Sequence, residues 1–403
     1  MRFAYLSCDF GVNPFGGVGN SVHLHETVGA LRDCGHSVEV FSSVPSPEGA
    51  EDGFHSLPLQ GALLEVAASL EREEGLPAHL PVEWRRLLYA EYVQRKLLPP
   101  LREYRPDVIY ERYSLFAYGG IELARELEIP LLLEVNAPLS LEASRYRDLV
   151  LRGTARELEG HIFRSADTLL VVSRELEEYA RGLGARAERI RVLPNGANEE
   201  RFRPGLAGGA VRARYGLGRK RVMGFVGTLR PWHDVDTMLD ALERLAGLDD
   251  RVHLLVVGEG PASDRLRRLG NAHVTCTGAI EYEDVPEFMA AMDVVVVPYS
   301  EEIDCYFSPL KLFEAMAMGK PVVGARIGQV AELLADGETG LLYEPGNARD
   351  LADKVRLALD LPDRGRKMGS AAREWVVGTR TWKRNAREIA AIATSLLEPP
   401  ARD

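Results

Sequence analysis

Cysteine is scarce in this chain of 403 residues: Cys8, Cys34, Cys276 and Cys305 stand far apart. They have neither the paired spacing of a zinc site nor a C-x-x-C redox motif. Reduced, structural thiols are therefore expected, and no metal site is readable. Long apolar runs are missing too, none reaching the about 18 residues that a membrane-spanning helix needs. The opening Met1-Arg2-Phe3-Ala4-Tyr5-Leu6 enters a strand-like pattern without a signal-peptide profile, so a cytosolic location is expected. Positive charge is in short supply, with a formal net charge of −11. Through Glu200 the sequence carries 21 basic and 31 acidic residues, and the remainder carries 28 and 29. Nucleic-acid binding needs a basic stripe, so it is excluded as a general function, whereas the near-neutral second half leaves room for a local anion pocket.

Several catalytic signatures are also absent. No G-x-S-x-G elbow or H-E-x-x-H helix occurs, which leaves esterase and zinc-hydrolase readings without an anchor. A P-loop ending at Gly319-Lys320 would need glycine where Glu314 stands and Ser or Thr where Pro321 stands. A dinucleotide fingerprint at Gly17-Val18-Gly19-Asn20-Ser21-Val22 lacks its third glycine.

What is present is an alternation of short apolar runs with helical spacing. Phe3–Leu6, a glycine loop at 16–19, a helical stretch from Ser21 to Cys34 and a run at 37–41 read as a βαβ unit. Further strands are expected at 108–110, 130–135, 168–172 and 190–193, with a mixed surface region at 43–80. The helical stretch from Val82 to Leu98 combines Trp84 and Leu87 with Arg85, Arg86, Arg95 and Lys96. Such a face suits a membrane surface, but a crossover helix with solvated arginines is the preferred reading. A second series has strands at 222–226, 253–257, 273–276, 293–297 and 321–324. Strands alternating with helices imply an α/β fold with parallel sheets covered on both faces. The length favours two domains, 1–200 and 205–380, with a linker around Arg201 to Gly209.

The stretch Phe307-Ser308-Pro309-Leu310-Lys311-Leu312-Phe313-Glu314 through Gly319-Lys320-Pro321 is the most informative. Ser308 suits an N-cap, Pro309 the first helical turn, and Gly319 with Pro321 a stop. Backbone amides and a positive dipole end favour phosphate, and Lys311 adds a mobile cation within one turn. Glu314, on the same helix face, could accept two hydrogen bonds from a ribose diol. Two more loops at the same rim carry phosphate-suited groups: Gly227-Thr228-Leu229-Arg230-Pro231-Trp232-His233 and Gly258-Glu259-Gly260-Pro261.

In order and spacing these motifs resemble the retaining nucleotide-sugar glycosyltransferases of family four, the group 1 glycosyltransferases, over nearly the whole chain. The pieces that carry the resemblance include Ser21-Val22-His23-Leu24-His25-Glu26, Pro194-Asn195-Gly196, and Gly337-Glu338-Thr339-Gly340. The resemblance implies a GT-B fold, two facing Rossmann-like domains with an interdomain cleft, and a C-terminal helix at 381–403 crossing back to the first domain. It implies transfer of a hexose-type sugar from a nucleoside-diphosphate sugar, without a metal or other cofactor. Arg230 and Lys311 would neutralise the diphosphate, with Thr228, His233 and Gly258 beside it. Ser308, Pro309 and Leu310 would present amides, Glu314 would hold the ribose, and the base would sit near Ile280. Asn136, Gly17 and Gly19 would reach the reaction centre from the first domain. Three positions depart from the family pattern. Tyr306 stands where a second glutamate is usual, Thr228 and His233 stand where Arg and Lys are usual, and Asn136 replaces a histidine. An epimerase or phosphorylase on the same fold, or a catalytically silent nucleotide- or glycan-binding protein, are the competing readings. The acceptor is expected to lie against residues 43–100 and 137–155, with peripheral membrane contact and oligomeric state left open.

Overall fold

Parallel strands buried on both faces must be apolar along their whole length, and the runs in this chain behave so. The computed structural model describes the chain except residues 18, 46–51, 264–265, 267–271, 303, 361 and 399–403, and the side chains of 362 and 364. By backbone proximity it divides into two compact units. One is Met1–Pro194 with Lys383–Asp403, and the other is Asn195–Trp382. The boundary falls ahead of the expected linker because Phe202 is fully buried in the core of the second unit.

In the first unit the strands are β1 (Arg2–Ser7), β2 (Ser37–Ser42), β3 (Phe54–Ser56), β4 (Val108–Arg112), β5 (Leu131–Val135), β6 (Thr168–Val171) and β7 (Ile190–Val192). All pair in parallel, in the order β3-β2-β1-β4-β5-β6-β7. The region 43–80 is more regular than its mixed sequence suggests, holding β3 and a helix at Ala62–Glu71. The expected 82–98 helix runs longer, over Leu80–Tyr104, despite Pro99 and Pro100, and ends at Arg105 with φ 55.

The second unit contains β8 (Arg221–Val226), β9 (Val252–Val257), β10 (Val274–Cys276), β11 (Val294–Val297), β12 (Val322–Ala325) and β13 (Leu341–Tyr343). Its order is β10-β9-β8-β11-β12-β13, again parallel throughout. Strand β13 is the sixth strand that the sequence pattern did not separate from its turn.

Both sheets are doubly wound. The order reverses between β1 and β4 in one and between β8 and β11 in the other. In such sheets a ligand crevice opens at the carboxyl ends of the two strands that flank the reversal, because their connections leave in opposite directions. Among the described residues no helix is long and apolar enough to cross a membrane.

Candidate functional site

The reversal in the second unit is flanked by the loop after β8, Gly227 to Asp234, and by the segment after β11 that leads into the helix Leu310–Ala317. Eight residues make a poor helix in isolation, since nucleation costs more than so few hydrogen bonds return. Leu312, Phe313 and Met316 are fully buried, each contributing about 1.5–3 kcal/mol by leaving water, and they fix the helix on the sheet. Met318 closes its last turn and Gly319, at φ 65, turns the chain toward β12, as the Gly-x-Pro signal implies.

The helix starts one turn position later than its sequence suggests. Pro309 occupies the N-cap and makes no side-chain cap bond. Ser308 does not cap: its Oγ accepts the Asn195 amide at 2.9 Å, and its carbonyl accepts from Asn195 Nδ2 at 2.7 Å. Asn195 of the Pro-Asn-Gly turn outcompetes the helix for that hydroxyl. The first bond at this end is from Leu312 N to the Pro309 carbonyl, 3.0 Å, so the amides of Leu310 and Lys311 lie ahead of it.

Lys311 is a second correction, being buried rather than a mobile surface cation. Its Nζ lies 3.0 Å from His233 Nε2, 4.2 Å from the Phe225 ring centroid and 5.7 Å from that of Tyr299. Burial pulls its ammonium down to about 7, against a smaller opposing effect of Glu314. His233 is also buried, and its Nδ1 is 2.5 Å from the Thr228 carbonyl. A carbonyl can only accept, so Nδ1 carries the proton and Nε2 offers a lone pair to the lysine. Burial, then Lys311, hold the imidazole neutral, with its pKa lowered to about 2. Both ring nitrogens are thus engaged within the unit, which differs from the expectation of a phosphate-facing histidine.

Glycine is required where these loops touch. Gly227 has φ 132, and a Cβ there would come 3.0 Å from Lys311 Nζ. Gly258, at φ 126, would place a Cβ 2.3 Å from the Gly227 carbonyl. Two backbones therefore approach closely beside the ammonium, as an anion-binding rim requires. Ser300 N reaches the Trp232 carbonyl at 3.0 Å and ties the two flanking segments together.

Arg230 is exposed, its guanidinium 5.9 Å from the Trp232 ring centroid and without an ion-pair partner among the described residues. Thr228 is exposed, while Ile280 and Tyr306 are partly buried. Tyr306 meets Phe307 edge-on at 5.9 Å. Glu314 is buried and accepts from the Tyr282 hydroxyl at 3.0 Å, a partner the sequence did not mark.

Asn136, Gly17 and Gly19 belong to the first unit. Gly17 is an exposed loop residue and Gly19 opens the helix Gly19–Asp33. Asn136 donates to Glu134, which also accepts from Tyr110 and, at 3.0 Å, from Arg112. Arg112 in turn donates to His23 Nδ1 at 3.1 Å. Glu134, Tyr110 and Arg112 were given no role from the sequence, yet a charged residue inside the apolar run Leu131-Leu132-Leu133-Glu134-Val135 was a usable signal, because a buried charge must be paired.

Two doubly wound units, one with a desolvated ammonium and converging backbone at its reversal point, define a protein of the nucleotide-binding α/β class. The chain matches the family descriptions "Glycosyl transferase 4-like domain" over residues 16–196 and "Glycosyl transferases group 1" over residues 220–360. It is 30% identical to the D-inositol 3-phosphate glycosyltransferase of Kribbella flavida, over 89% of this chain and 87% of that protein. It is 27% identical to a glycogen synthase of Mycobacterium tuberculosis, over 97% of this chain and 94% of that protein. The crystal structure of Anabaena HepE in complex with UDP superposes with a TM-score of 0.74 at 21% identity, covering 98% of this chain and all of that one. The chain belongs to the group 1, family-four glycosyltransferases, enzymes of the GT-B fold that use nucleotide sugars as donors. Epimerase, phosphorylase and silent-binding readings are not favoured by these relationships.

Proposed function

We propose that the second unit binds the nucleoside-diphosphate sugar with its diphosphate at Lys311, and that this lysine supplies the charge on which departure of the nucleoside diphosphate depends. The carrying observation is the ammonium held at 3.0 Å from a neutral histidine beside Gly227, at the reversal point of the sheet. A cation in low dielectric interacts with an anion far more strongly than one in water. Arg230 would close on the same diphosphate from the exposed side, and the amides of Leu310 and Lys311 would complete the cradle with Ser308 and Pro309 shaping its approach. Glu314, oriented by Tyr282, would hold the ribose diol, and the base would rest near Ile280 and Gly258. Tyr306 would touch the sugar where a carboxylate is usual in the family.

With charge supplied by side chains and amides, the reaction would proceed without a divalent metal, by front-face attack of the acceptor as the donor bond breaks. Chelator is then expected to leave turnover unchanged. The acceptor would be a hydroxyl-rich molecule met by the first unit. Support comes from the β1/β4 reversal of the first unit, where Asp9, Glu111 and Ser114 line a small crevice. Gly17, Gly19 and Asn136 lie on the same unit. Action in the cytosol with peripheral contact at a membrane is proposed on the exposed Leu64, Val66 and Trp84 of the first unit. Vesicle flotation tests that contact.

Thermal-shift screening of UDP, GDP, ADP and dTDP and their sugars tests the donor assignment. At least one is expected to raise the melting temperature at millimolar concentration, and no response from any of them defeats the assignment.

A further inference from the structure

The histidine that replaces the family's usual lysine at position 233 does not stand in for it as a cation. It is buried, its ring lies edge-on to Phe225 with centroids 5.2 Å apart, and it is tilted against Tyr299 at 5.4 Å. Packed between those rings, it cannot rotate without opening the core. The cation instead comes from the helix Leu310–Ala317, 78 residues further along.

We propose that His233 is a positioning residue for Lys311: the Thr228 carbonyl locks its tautomer, and its Nε2 accepts a hydrogen bond from one ammonium N–H so that the remaining two are aimed at the donor diphosphate. The proposal rests on the reading of Lys311 as the diphosphate cation and adds how that cation is held. A lysine side chain has three donors and free rotation, and loses both entropy and solvation when buried. An imidazole acceptor fixes its direction without adding charge. A carboxylate in the same place would neutralise the ammonium, and a second cation would repel it. The aromatic faces of Phe225 and Tyr299 complete the box without competing for its protons. Gly227 leaves the open side, since any side chain there would press on Nζ.

The groups facing the ammonium are Phe225 on β8, His233 on the following loop, Tyr299 after β11 and Glu314 on its own helix, while Thr228 and Arg230 act on His233. Burial raises the Tyr299 phenol above its ordinary value, so it stays neutral. The group that changes charge near neutrality is therefore the lysine, whose charged form the His233 bond favours. Weakening that bond makes the lysine lose its proton at lower pH.

Two amide substitutions separate the two histidine bonds. His233→Gln places an amide oxygen near the Nε2 position and can still accept from Lys311. His233→Asn is shorter, can reach only the Thr228 carbonyl, and leaves the lysine without an acceptor. Calorimetric titration with UDP, with GDP and ADP in parallel, is run from pH 5.5 to 9 on the full chain, with melting curves to establish that each variant is folded. Wild-type affinity is expected to fall as pH rises past about 7. H233N is expected to lose about tenfold in affinity at pH 7.5 and only about threefold at pH 6, its descending limb moved to lower pH. H233Q is expected to stay within about threefold of wild type with the limb in place.

A uniform loss at every pH in H233N, not rescued in H233Q, makes the histidine merely structural and overturns the proposal. Wild-type behaviour in H233N, with binding lost in Lys311→Ala, also overturns it but leaves the donor site standing. Nucleotide affinity unchanged in Lys311→Ala overturns the donor-site reading itself. Imidazole nitrogen NMR on the unmutated chain provides a measurement independent of variant folding. Protonated Nδ1 and bare Nε2 from pH 5.5 to 9 support the proposal, and the opposite tautomer refutes it.

Discussion

In the first unit the buried ionisable groups are chiefly carboxylates, and in the second a lysine takes the corresponding role at the sheet rim. Glu83 accepts the amides of Val150 and Leu151, each at 2.7 Å. Glu159 accepts from Ser140 and Tyr179, and Glu134 from Arg112, Tyr110 and Asn136. These anions have their hydrogen-bonding capacity largely filled by the fold and act as struts. Burial pushes the Glu134 carboxyl up, but the neighbouring His23, Arg112 and the hydrogen-bond donors Tyr110 and Asn136 outweigh it and keep the group below its ordinary value. Among the described residues Lys311 has one acceptor for three donors, and its surroundings are aromatic and glycine backbone. Two sheets of like topology thus carry different buried ionisable side chains. A partly filled donor suits an anion.

The largest expected blow to this contrast is Lys311→Ala. Removing the ammonium should cost about a hundredfold or more in kcat/KM, as for loss of one well-placed oxyanion donor, while melting changes little. Steady-state rates with the donor identified by screening check it. In the first unit the counterpart is Arg112→Met, which leaves Glu134 without its cation. A loss of about 3 kcal/mol in stability is expected, read from urea denaturation, with KM for the nucleotide sugar unaffected.

A pH test sharpens the contrast. Burial pushes the Glu111 carboxyl up to about 8 from an ordinary value of 4.5, and its Oε2 has no hydrogen-bond partner among the described residues. Because the folded pKa is the higher one, its contribution to stability is complete below 4.5 and is lost as pH rises to about 8. Lys311 in the second unit is shifted downward, so its contribution grows as pH climbs from about 7 toward 10.5. Hydrogen exchange corrected for intrinsic rates, compared at pH 6.5 and 8, should show β1 and β4 weakening with pH. Glu111→Gln should abolish that trend there and leave β8 and β11 as they were. The smallest effect is expected from Tyr282→Phe, which deprives Glu314 of one hydrogen bond. About 1 kcal/mol, or roughly fivefold in donor KM, is expected with kcat nearly unchanged.

Much of the architecture was readable in advance because burial on two faces forces continuous apolar runs such as Val294-Val295-Val296-Val297. Strands β3 and β13 escaped because their short runs lie against proline- and glycine-rich turn sequence, whereas β7 and β10, equally short, were expected. At the site, Lys311, Glu314 and Gly258 were marked by their motifs. The capping role assigned to Ser308 failed because local spacing cannot reveal that Asn195 competes for its hydroxyl. Tyr282 was invisible for a related reason: its value lies in reaching a residue 32 positions away.

The sequence by itself determined two α/β units, their parallel sheets and the family, since apolar periodicity, turn glycines and motif order are all local properties of the chain. Only the tertiary structure decided what the replaced residues do. The protonation of His233 depends on a carbonyl five residues before it, and its function on a lysine 78 residues after it. Charge, tautomer and direction at that site arise from desolvation and contact, which exist only once the strands have brought those residues together.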